Sequence, residues 1–251
     1  GKPRMSYRRA DYRTGSTSVA AAGNLGQGRG VEQVAGRVAE LPVGAVPDRL
    51  PGREAGGEFR LSKELDQTHI LLGFPSVKYG DPDYYAALLL STLLGGGMSS
   101  RLFQEIREKR GLVYSVYSFP TPFLDRGLFG IYAGTGAEEA RELLPVTLDE
   151  LHKVQQAVGA EELGRARAQL KASLLMSLES TGSRCEQIAR QLQIFGRLIP
   201  VSETVEKINA VTPADICRVA GKIFRGAPTL ASIGPVEGVM GLNTLQGQLA
   251  A

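Results

Sequence analysis

Two side chains near the middle of the chain have types suited to chemistry on a peptide bond. Arg107 carries a permanently charged guanidinium, which can grip a peptide carbonyl. The phenol of Tyr114 can donate a hydrogen bond to the oxyanion of a tetrahedral intermediate. Between them a helical pattern ends at Gly111 and a strand pattern begins, so the turn can bring the two side chains together. The two residues are therefore a candidate functional pair.

A purely structural interpretation of the same pair stays open at this point. Glu105 and Glu108 are close enough in sequence to form a surface ion pair with Arg107. Tyr114 can fill the core beside Leu112 if the strand alternates regularly. Under this interpretation neither residue would touch a substrate.

The histidines argue against a metal site built by this chain alone. A zinc site of the H-x-x-E-H type needs two histidines on one helical turn, a neighbouring glutamate as general base and a distant third ligand. The chain has two histidines, His69 and His152, and neither lies in an H-x-x-E-H frame. His69 is expected in a strand and His152 on the polar side of a helix. Cys185 and Cys217 fit no metal spacing and are expected to be small buried residues.

The elements that must position the pair lie between Leu94 and Phe119, in the run LGGGMSSRLFQEIREKRGLVYSVYSF. Three consecutive glycines end an apolar helix: Gly95, Gly96 and Gly97. They are expected to take backbone conformations closed to other residues, either as a helix stop or as a loop facing substrate. Ser99 or Ser100 is expected to cap the next helix.

That second helix is expected to end at Gly111, the residue placed to adopt the left-handed conformation after the last turn. From Leu112 onward the pattern has a period of two, which predicts a strand. Regular alternation would place Leu112, Tyr114 and Val116 on one face of that strand.

The run GGGMSSRLFQEIREKRGLVYSVYSF closely resembles the second-domain signature of the pitrilysin and mitochondrial processing peptidase family, the inverzincin zinc metallopeptidases. The resemblance extends from about Ser18 to about Pro235. In that family an H-x-x-E-H helix of the first domain holds zinc. The second domain lends an arginine and a tyrosine, seven residues apart, that bind substrate across the cleft. Arg107 and Tyr114 match that pair in type and spacing.

The resemblance implies that this is the C-terminal, non-zinc-binding half of a processing-type endopeptidase. Arg107 and Tyr114 would then be catalytic, and both would bind substrate together with the glycine run Gly95–Gly97. The expected substrate is a peptide or an unfolded protein. Zinc is expected in a missing N-terminal domain or a partner subunit, within a homo- or heterodimer. No cofactor is expected in this chain, which should be inactive alone.

Two other classes of function stay open. The same fold serves as a non-catalytic core subunit in respiratory complexes, although the presence of both Arg107 and Tyr114 favours the peptidase. A freestanding binding module would require the N-terminal segment to be dispensable.

Composition excludes some partners. Among 251 residues, 43% are hydrophobic and 22% are charged, which is typical of soluble globular proteins. The net charge of +3 is mild and the arginines are scattered, which argues against nucleic-acid binding. No apolar run approaches the roughly 20 residues of a membrane span, and no signal-peptide pattern follows Gly1, so a cytoplasmic location is expected. Gly1 is interpreted as a cut boundary.

The pattern predicts an α+β fold, with a mostly antiparallel sheet packed with helices on one face, as the second domain of a clamshell metallopeptidase. The predicted segments are a remnant of the first domain (1–41), an interdomain linker (42–57), the substrate-binding domain (58–235) and a disordered tail (236–251). Strands are predicted at Ser18–Asn24, Thr68–Phe74, Gly127–Thr135 and Thr229–Gly234. Capping boxes are predicted at Thr135 with Glu138, Ser183 with Glu186, and Thr212 with Asp215.

Overall fold

The computed structural model describes residues 12–24, 26–44 and 50–250. The strands are β1 (Gly57–Ser62), β2 (Thr68–Ser76), β3 (Val113–Pro122), β4 (Gly127–Thr135) and β5 (Thr229–Gly234). The helices are α1 (Gln27–Ala39), α2 (Tyr84–Gly95), α3 (Ala140–Gln156), α4 (Ala160–Ser177), α5 (Thr181–Phe195), α6 (Val201–Ala210), α7 (Pro213–Phe224) and α8 (Leu242–Ala250). A 3-10 turn (Thr14–Ser16) and a π-helical segment (Phe103–Glu108) complete the elements.

The chain divides into two compact units. The first contains the described residues before Gly52 together with Ser173–Pro200, and the second contains Gly52–Ala172 and the residues from Val201 onward. Within the first unit, the Cys185 thiol donates a hydrogen bond to the Ala20 carbonyl at 3.0 Å. All the buried hydrophobic residues of the described chain belong to the second unit. The predicted domain boundaries stay a prediction.

The second unit is built on a mostly antiparallel sheet, as predicted. Its strand order is β1-β5-β2-β4-β3, with β1 parallel to β5 and the other neighbours antiparallel. Along β2 the apolar side chains alternate between the two faces: Ile70 and Leu72 are buried, whereas Leu71 between them is 40% exposed. The rings of Phe74 and Phe129 pack edge-on against Phe224 of α7, with centroids 5.1 and 5.6 Å away. Helices therefore cover the face of the sheet that carries these two rings.

Three of the predicted strands are present in the sheet. β4 and β5 have the predicted bounds, and β2 extends two residues beyond the predicted end. The strand β1 was not predicted. The strand predicted at Ser18–Asn24 is absent, since these residues form no regular element in the described chain. A strand needs a neighbour to accept its backbone N–H groups, and none of the five sheet strands pairs with this segment.

The prediction of a disordered tail is also wrong. Residues 242–250 form α8, and Leu245 within it is fully buried. Val236 and Val239 in the preceding segment are buried as well. Three apolar side chains therefore pack this segment against the rest of the second unit. The prediction missed them because most residues of the segment are small or polar.

Of the three predicted capping boxes, one is confirmed. Thr212 and Asp215 exchange side-chain and backbone hydrogen bonds at the start of α7, at 3.2 and 2.9 Å. The helix α5 is instead capped by Ser180, which accepts from the Ser183 backbone. Thr135 is not a cap, because its hydroxyl donates to the Leu112 carbonyl at 2.5 Å.

A charge cluster ties the start of α2 to α7. Arg218 donates to both carboxylate oxygens of Asp83, at 2.7 and 3.0 Å, and Lys222 lies 3.2 Å from the same carboxylate. The side chain of Asp83 is only 13% exposed. Hydrogen bonding from Arg218 outweighs partial burial and, with Lys222, holds the pKa of Asp83 below its ordinary value of 3.8.

We expect Asp83→Ala to lower the free energy of unfolding by about 1 kcal/mol, because the Asp83 carboxylate is largely buried whereas the Arg218 side chain is 55% exposed to water. Urea denaturation at neutral pH measures the loss, with Asp66→Ala, an exposed aspartate before β2, as the matched control. Since the folded-state pKa lies below the unfolded one, the contribution exists above about pH 4 and disappears as pH falls through the folded-state value. A difference between wild type and variant that did not shrink as the pH was lowered from neutral to well below about 4 would contradict this assignment.

Candidate functional site

The helical segment before the candidate pair ends at a glycine, as predicted. Gly111 has φ +66°, a conformation that other residues adopt only at a cost. Its N–H donates to the Arg107 carbonyl at 3.0 Å, and the Leu112 N–H donates to the Ile106 carbonyl at 2.9 Å. The segment itself is π-helical over Phe103–Glu108, a geometry that periodicity alone did not reveal. The nested bonds fix the turn that separates Arg107 from the strand.

Arg107 points its charge into solvent. It is exposed, and its guanidinium carbon lies 4.9 Å from the centroid of the Phe103 ring. The structural interpretation left open an ion pair of Arg107 with Glu105, but Glu105 pairs instead with Lys109, which holds the pKa of Glu105 below its ordinary value. Within the described residues, Arg107 has no carboxylate partner. Its charge is held over an aromatic face and remains available.

Tyr114 lies at a β-bulge. In the pairing of β3 with β4, Val113 is opposite Thr135 and Ser115 is opposite Gly134, so Tyr114 between them has no partner. Its side chain is 62% exposed, whereas Val113 is 7% exposed. The predicted regular alternation is therefore wrong here, and so is the interpretation of Tyr114 as a core residue. A bulge of one residue re-aims a side chain away from the face that alternation would give it.

The glycine run serves close approach rather than unusual backbone angles. None of Gly95, Gly96 and Gly97 has a positive φ, which corrects the prediction made from the sequence. A Cβ on Gly95 would lie 2.4 Å from the backbone nitrogen of Ser118, so only glycine lets the end of α2 pack against β3. A Cβ on Gly96 would lie 2.6 Å from the Thr92 carbonyl oxygen.

The loop after the run is held by its own hydrogen bonds and by α4. The predicted serine cap is wrong: the segment has no side-chain cap, and the Ser100 hydroxyl donates backwards to the Gly97 carbonyl at 2.6 Å. Arg101 makes a bidentate contact with Glu162, at 2.7 and 2.8 Å, and donates to the Ala157 carbonyl. Gln169 donates to the carbonyl of Gly96. Sequence analysis missed Arg101 because its partner is 61 residues away and nothing local marks the pair.

No metal centre is found in the described part of the chain, where no three His, Cys, Asp or Glu side chains are close enough to hold an ion. His69 lies in β2, as predicted, with its Nδ1 2.7 Å from the Tyr132 hydroxyl. His152 is half-buried, and its Nε2 is buried without a partner among the described residues. Cys185 and Cys217 are half-buried rather than buried.

None of the helices described is long and apolar enough to cross a membrane.

Comparison with known proteins decides the family. Residues 6–170 match the family described as the peptidase M16 inactive domain. The chain belongs to this family. The resemblance to the second, non-zinc-binding domain of the processing peptidases is confirmed.

The curated relatives carry peptidase names. A protein of Streptomyces coelicolor named an uncharacterized zinc protease is 39% identical over 231 residues, which are 87% of this chain and 50% of that protein. Subunit alpha of the mitochondrial processing peptidase of Neurospora crassa is 38% identical over 183 residues, 66% of this chain and 32% of that protein. The chain thus spans about half the length, or less, of these relatives.

Two solved structures share the fold. The crystal structure of the peptidase M16 inactive domain from Pseudomonas fluorescens has a TM-score of 0.74 and 27% identity, covering 87% of this chain and 54% of that one. A chain of complex III2 from Candida albicans has a TM-score of 0.80 at 21% identity, covering 90% and 57%. The second likeness shows the fold alone. The chain is therefore an M16 inactive domain related to proteins named zinc proteases and to a subunit of the mitochondrial processing peptidase.

Proposed function

We propose that this chain presents Arg107 and Tyr114 to the substrate of a zinc endopeptidase whose metal is carried by another domain or subunit. The observation that supports this most is the bulge at Tyr114. It leaves the phenol 62% exposed at the entry of β3, a few residues after the exposed Arg107. A strand that served only the core would gain nothing from this irregularity.

The two side chains suit different moments of peptide hydrolysis. The guanidinium of Arg107 donates to a carbonyl of the bound peptide and fixes its position, because its charge is permanent and its donors form a rigid fork. The hydroxyl of Tyr114 donates to the oxygen that gains negative charge in the tetrahedral intermediate. The described residues hold no metal cluster, so zinc, the activator of the attacking water in such peptidases, belongs to the other domain in this proposal.

Conformational order at the turn supports the same proposal. The turn after Arg107 is closed by the left-handed Gly111 and by the nested hydrogen bonds to Ile106 and Arg107. The bidentate contact between Arg101 and Glu162 stabilises the segment before Arg107 as well. Groups fixed before substrate arrives lose little conformational entropy on binding, and they aim donors without reorganisation.

The expected substrate is an extended peptide or an unfolded protein, and the expected assembly is a homo- or heterodimer or a two-domain chain. The alternative of a non-catalytic core subunit shares the fold. The likeness to the complex III chain, at 21% identity, does not support that role over the peptidase.

We expect Arg107→Ala, in the full-length protein or in complex with a zinc-bearing partner, to lower kcat/KM by roughly 10-fold. A lost hydrogen bond from a charged donor is worth about 1.5–3 kcal/mol, and exposure places this one at the low end. Steady-state kinetics on an extended peptide measures the effect. The matched control is Arg110→Ala, whose exposed side chain pairs with Glu142 at 3.3 Å. Equal losses for the two variants would show that only general positive charge matters.

A further inference from the structure

The sheet carries a cavity of about 550 Å³ within the second unit. We call it the sheet-face pocket. Residues of β2, β3 and β4 supply its apolar lining: Leu71, Gly73, Pro75, Phe119, Leu128 and Gly130. Leu71 and Leu128 are 40% and 49% exposed, on the face opposite to the one that Phe224 covers. The volume lies in the range typical of ligand sites, which are concave and mostly apolar.

Two glycines make the floor of the pocket. Gly73 and Gly130 are opposite each other in the pairing of β2 with β4, and Gly130 is also opposite Phe119 of β3. A Cβ on Gly130 would lie 2.4 Å from the Phe119 ring, so the ring covers that glycine closely. A Cβ on Gly73 would find nothing nearer than Thr229, at 3.9 Å. The open space therefore lies above Gly73.

One end of the pocket is closed by the segment that precedes β1. The Gly52 N–H donates to the Asp125 carboxylate at 2.6 Å, and the Arg126 Nε donates to the Gly52 carbonyl at 3.2 Å. Arg126 also lies 3.6 Å from Glu54. These charges form a polar rim around an apolar interior, as expected for a site that takes one apolar side chain and leaves its backbone hydrated.

The pocket and the candidate pair share the strand β3. Tyr114 is the second residue of this strand, and Phe119, which lines the pocket, is five residues further on. At a strand rise of about 3.3 Å per residue the separation is roughly 17 Å, which about five residues of an extended peptide would span. Such a peptide, held near Tyr114, would reach the pocket without bending.

We propose that the sheet-face pocket anchors one bulky apolar side chain of an extended peptide substrate, about five residues from the peptide bond held near Arg107 and Tyr114. The positional part rests on the proposed function, whereas the pocket's affinity for an apolar side chain does not. An aromatic or leucine side chain fits above Gly73, between Leu71 and Leu128. The pocket thus selects substrates by a residue remote from the cleaved bond.

The test uses the full-length protein with EDTA present, so that peptide binding is measured without cleavage. The probes are two fluorescein-labelled Gly/Ser peptides of about twelve residues, long enough to span both sites, one with a single Phe and one with Ser in its place. Fluorescence anisotropy gives each Kd. Gly73→Val places methyl groups in the pocket from a Cβ position whose nearest neighbour is Thr229 at 3.9 Å, and Leu128→Ala removes a lining side chain. Leu61→Ala, a 44% exposed leucine on β1 that does not line the pocket, is the control.

We expect the Phe peptide to bind roughly tenfold more tightly than the Ser peptide, as burial of one large apolar side chain provides. Gly73→Val should abolish this preference, Leu128→Ala should weaken it, and Leu61→Ala should leave it unchanged. Equal Kd values for the two peptides, or a preference that survives Gly73→Val, would overturn the proposal. Binding of a fatty-acid probe that the Phe peptide does not displace would assign the pocket to lipid and would also overturn it.

The position of the anchor is tested separately with active protein. Peptides with Phe moved along the chain are digested, and mass spectrometry locates the cuts. We expect cuts about five residues from Phe, and a preference for Phe directly beside the cut would overturn the placement. If the proposed function fails but the pocket is real, the anisotropy preference persists while Tyr114→Phe leaves turnover intact. If only the pocket fails, the kinetic loss of Tyr114→Phe persists without any Phe preference.

Discussion

Replacing Tyr114 by phenylalanine in the active two-domain protein, or in its complex with a zinc-bearing partner, is expected to lower kcat and kcat/KM together. The change removes one hydroxyl and keeps the ring. If that hydroxyl donates to the oxyanion only in the transition state, ground-state binding is unaffected and both constants fall equally. By analogy with other single oxyanion donors, the loss reaches roughly 100-fold, about 2.7 kcal/mol.

The kinetic result must be compared with the thermal stability of the same variant. Tyr114 is 62% exposed and lies outside the regular pairing of β3, so the Tyr114→Phe variant should have a melting temperature close to that of the wild type. Tyr117→Phe is the matched control, since Tyr117 lies on the same strand and is 46% exposed. The kcat of the Tyr117→Phe variant should be close to that of the wild type. Unchanged kcat together with a lowered melting temperature for Tyr114→Phe would show a structural role and leave the pair without its tyrosine.

The second large effect is expected at Gly95. A Cβ at this position would lie 2.4 Å from the Ser118 nitrogen and 2.8 Å from its hydroxyl oxygen. Backbone cannot yield as a side-chain tip does, so α2 or β3 must shift. We expect Gly95→Ala to lower the free energy of unfolding by about 3 kcal/mol, even though alanine favours a helix by about 1 kcal/mol over glycine. Urea denaturation measures the difference.

The control for Gly95 is another helical glycine with open space around it. Gly164 in α4 is exposed, and a Cβ there would meet nothing within 4 Å. Gly164→Ala should therefore raise stability by about 0.5–1 kcal/mol through helix propensity and the unfolded chain's reduced entropy. Similar changes for the two substitutions would contradict the close packing of Gly95 against β3.

Much of the fold could be predicted from local patterns. The strands β4 and β5 have the predicted bounds, and along β5 buried residues alternate with more exposed ones, whereas most of β4 is buried. The end of the helical segment at Gly111 was predicted because only a left-handed residue closes such a turn readily. These features depend on a few neighbouring residues and on general chemistry, so one sequence suffices to find them.

The candidate site depends on features that a local pattern does not encode. A bulge adds one residue to a strand, and a period of two cannot show that Tyr114 is the extra one, because pairing with β4 decides it. The helix α2 ends at the glycine run, as predicted, but the run lacks the unusual backbone angles that were expected there. Gly95 is needed instead because Ser118, which lies on another element, approaches it closely. Likewise, the ion pair between Arg101 and Glu162 joins residues that are far apart in sequence.

Reconstitution tests the central claim most directly, namely that this chain supplies substrate contacts to zinc held elsewhere. The zinc-bearing domain or subunit is titrated with this chain, and cleavage of an extended peptide is measured together with the metal content of each component. We expect this chain alone to bind no stoichiometric zinc and to cleave nothing. The cleavage rate should rise to a plateau as the chain is added. With the Tyr114→Phe variant of the chain, the plateau should be roughly 100-fold lower. Tight stoichiometric zinc with peptidase activity in this chain alone, or activity of the zinc-bearing part that the chain does not change, would contradict the claim.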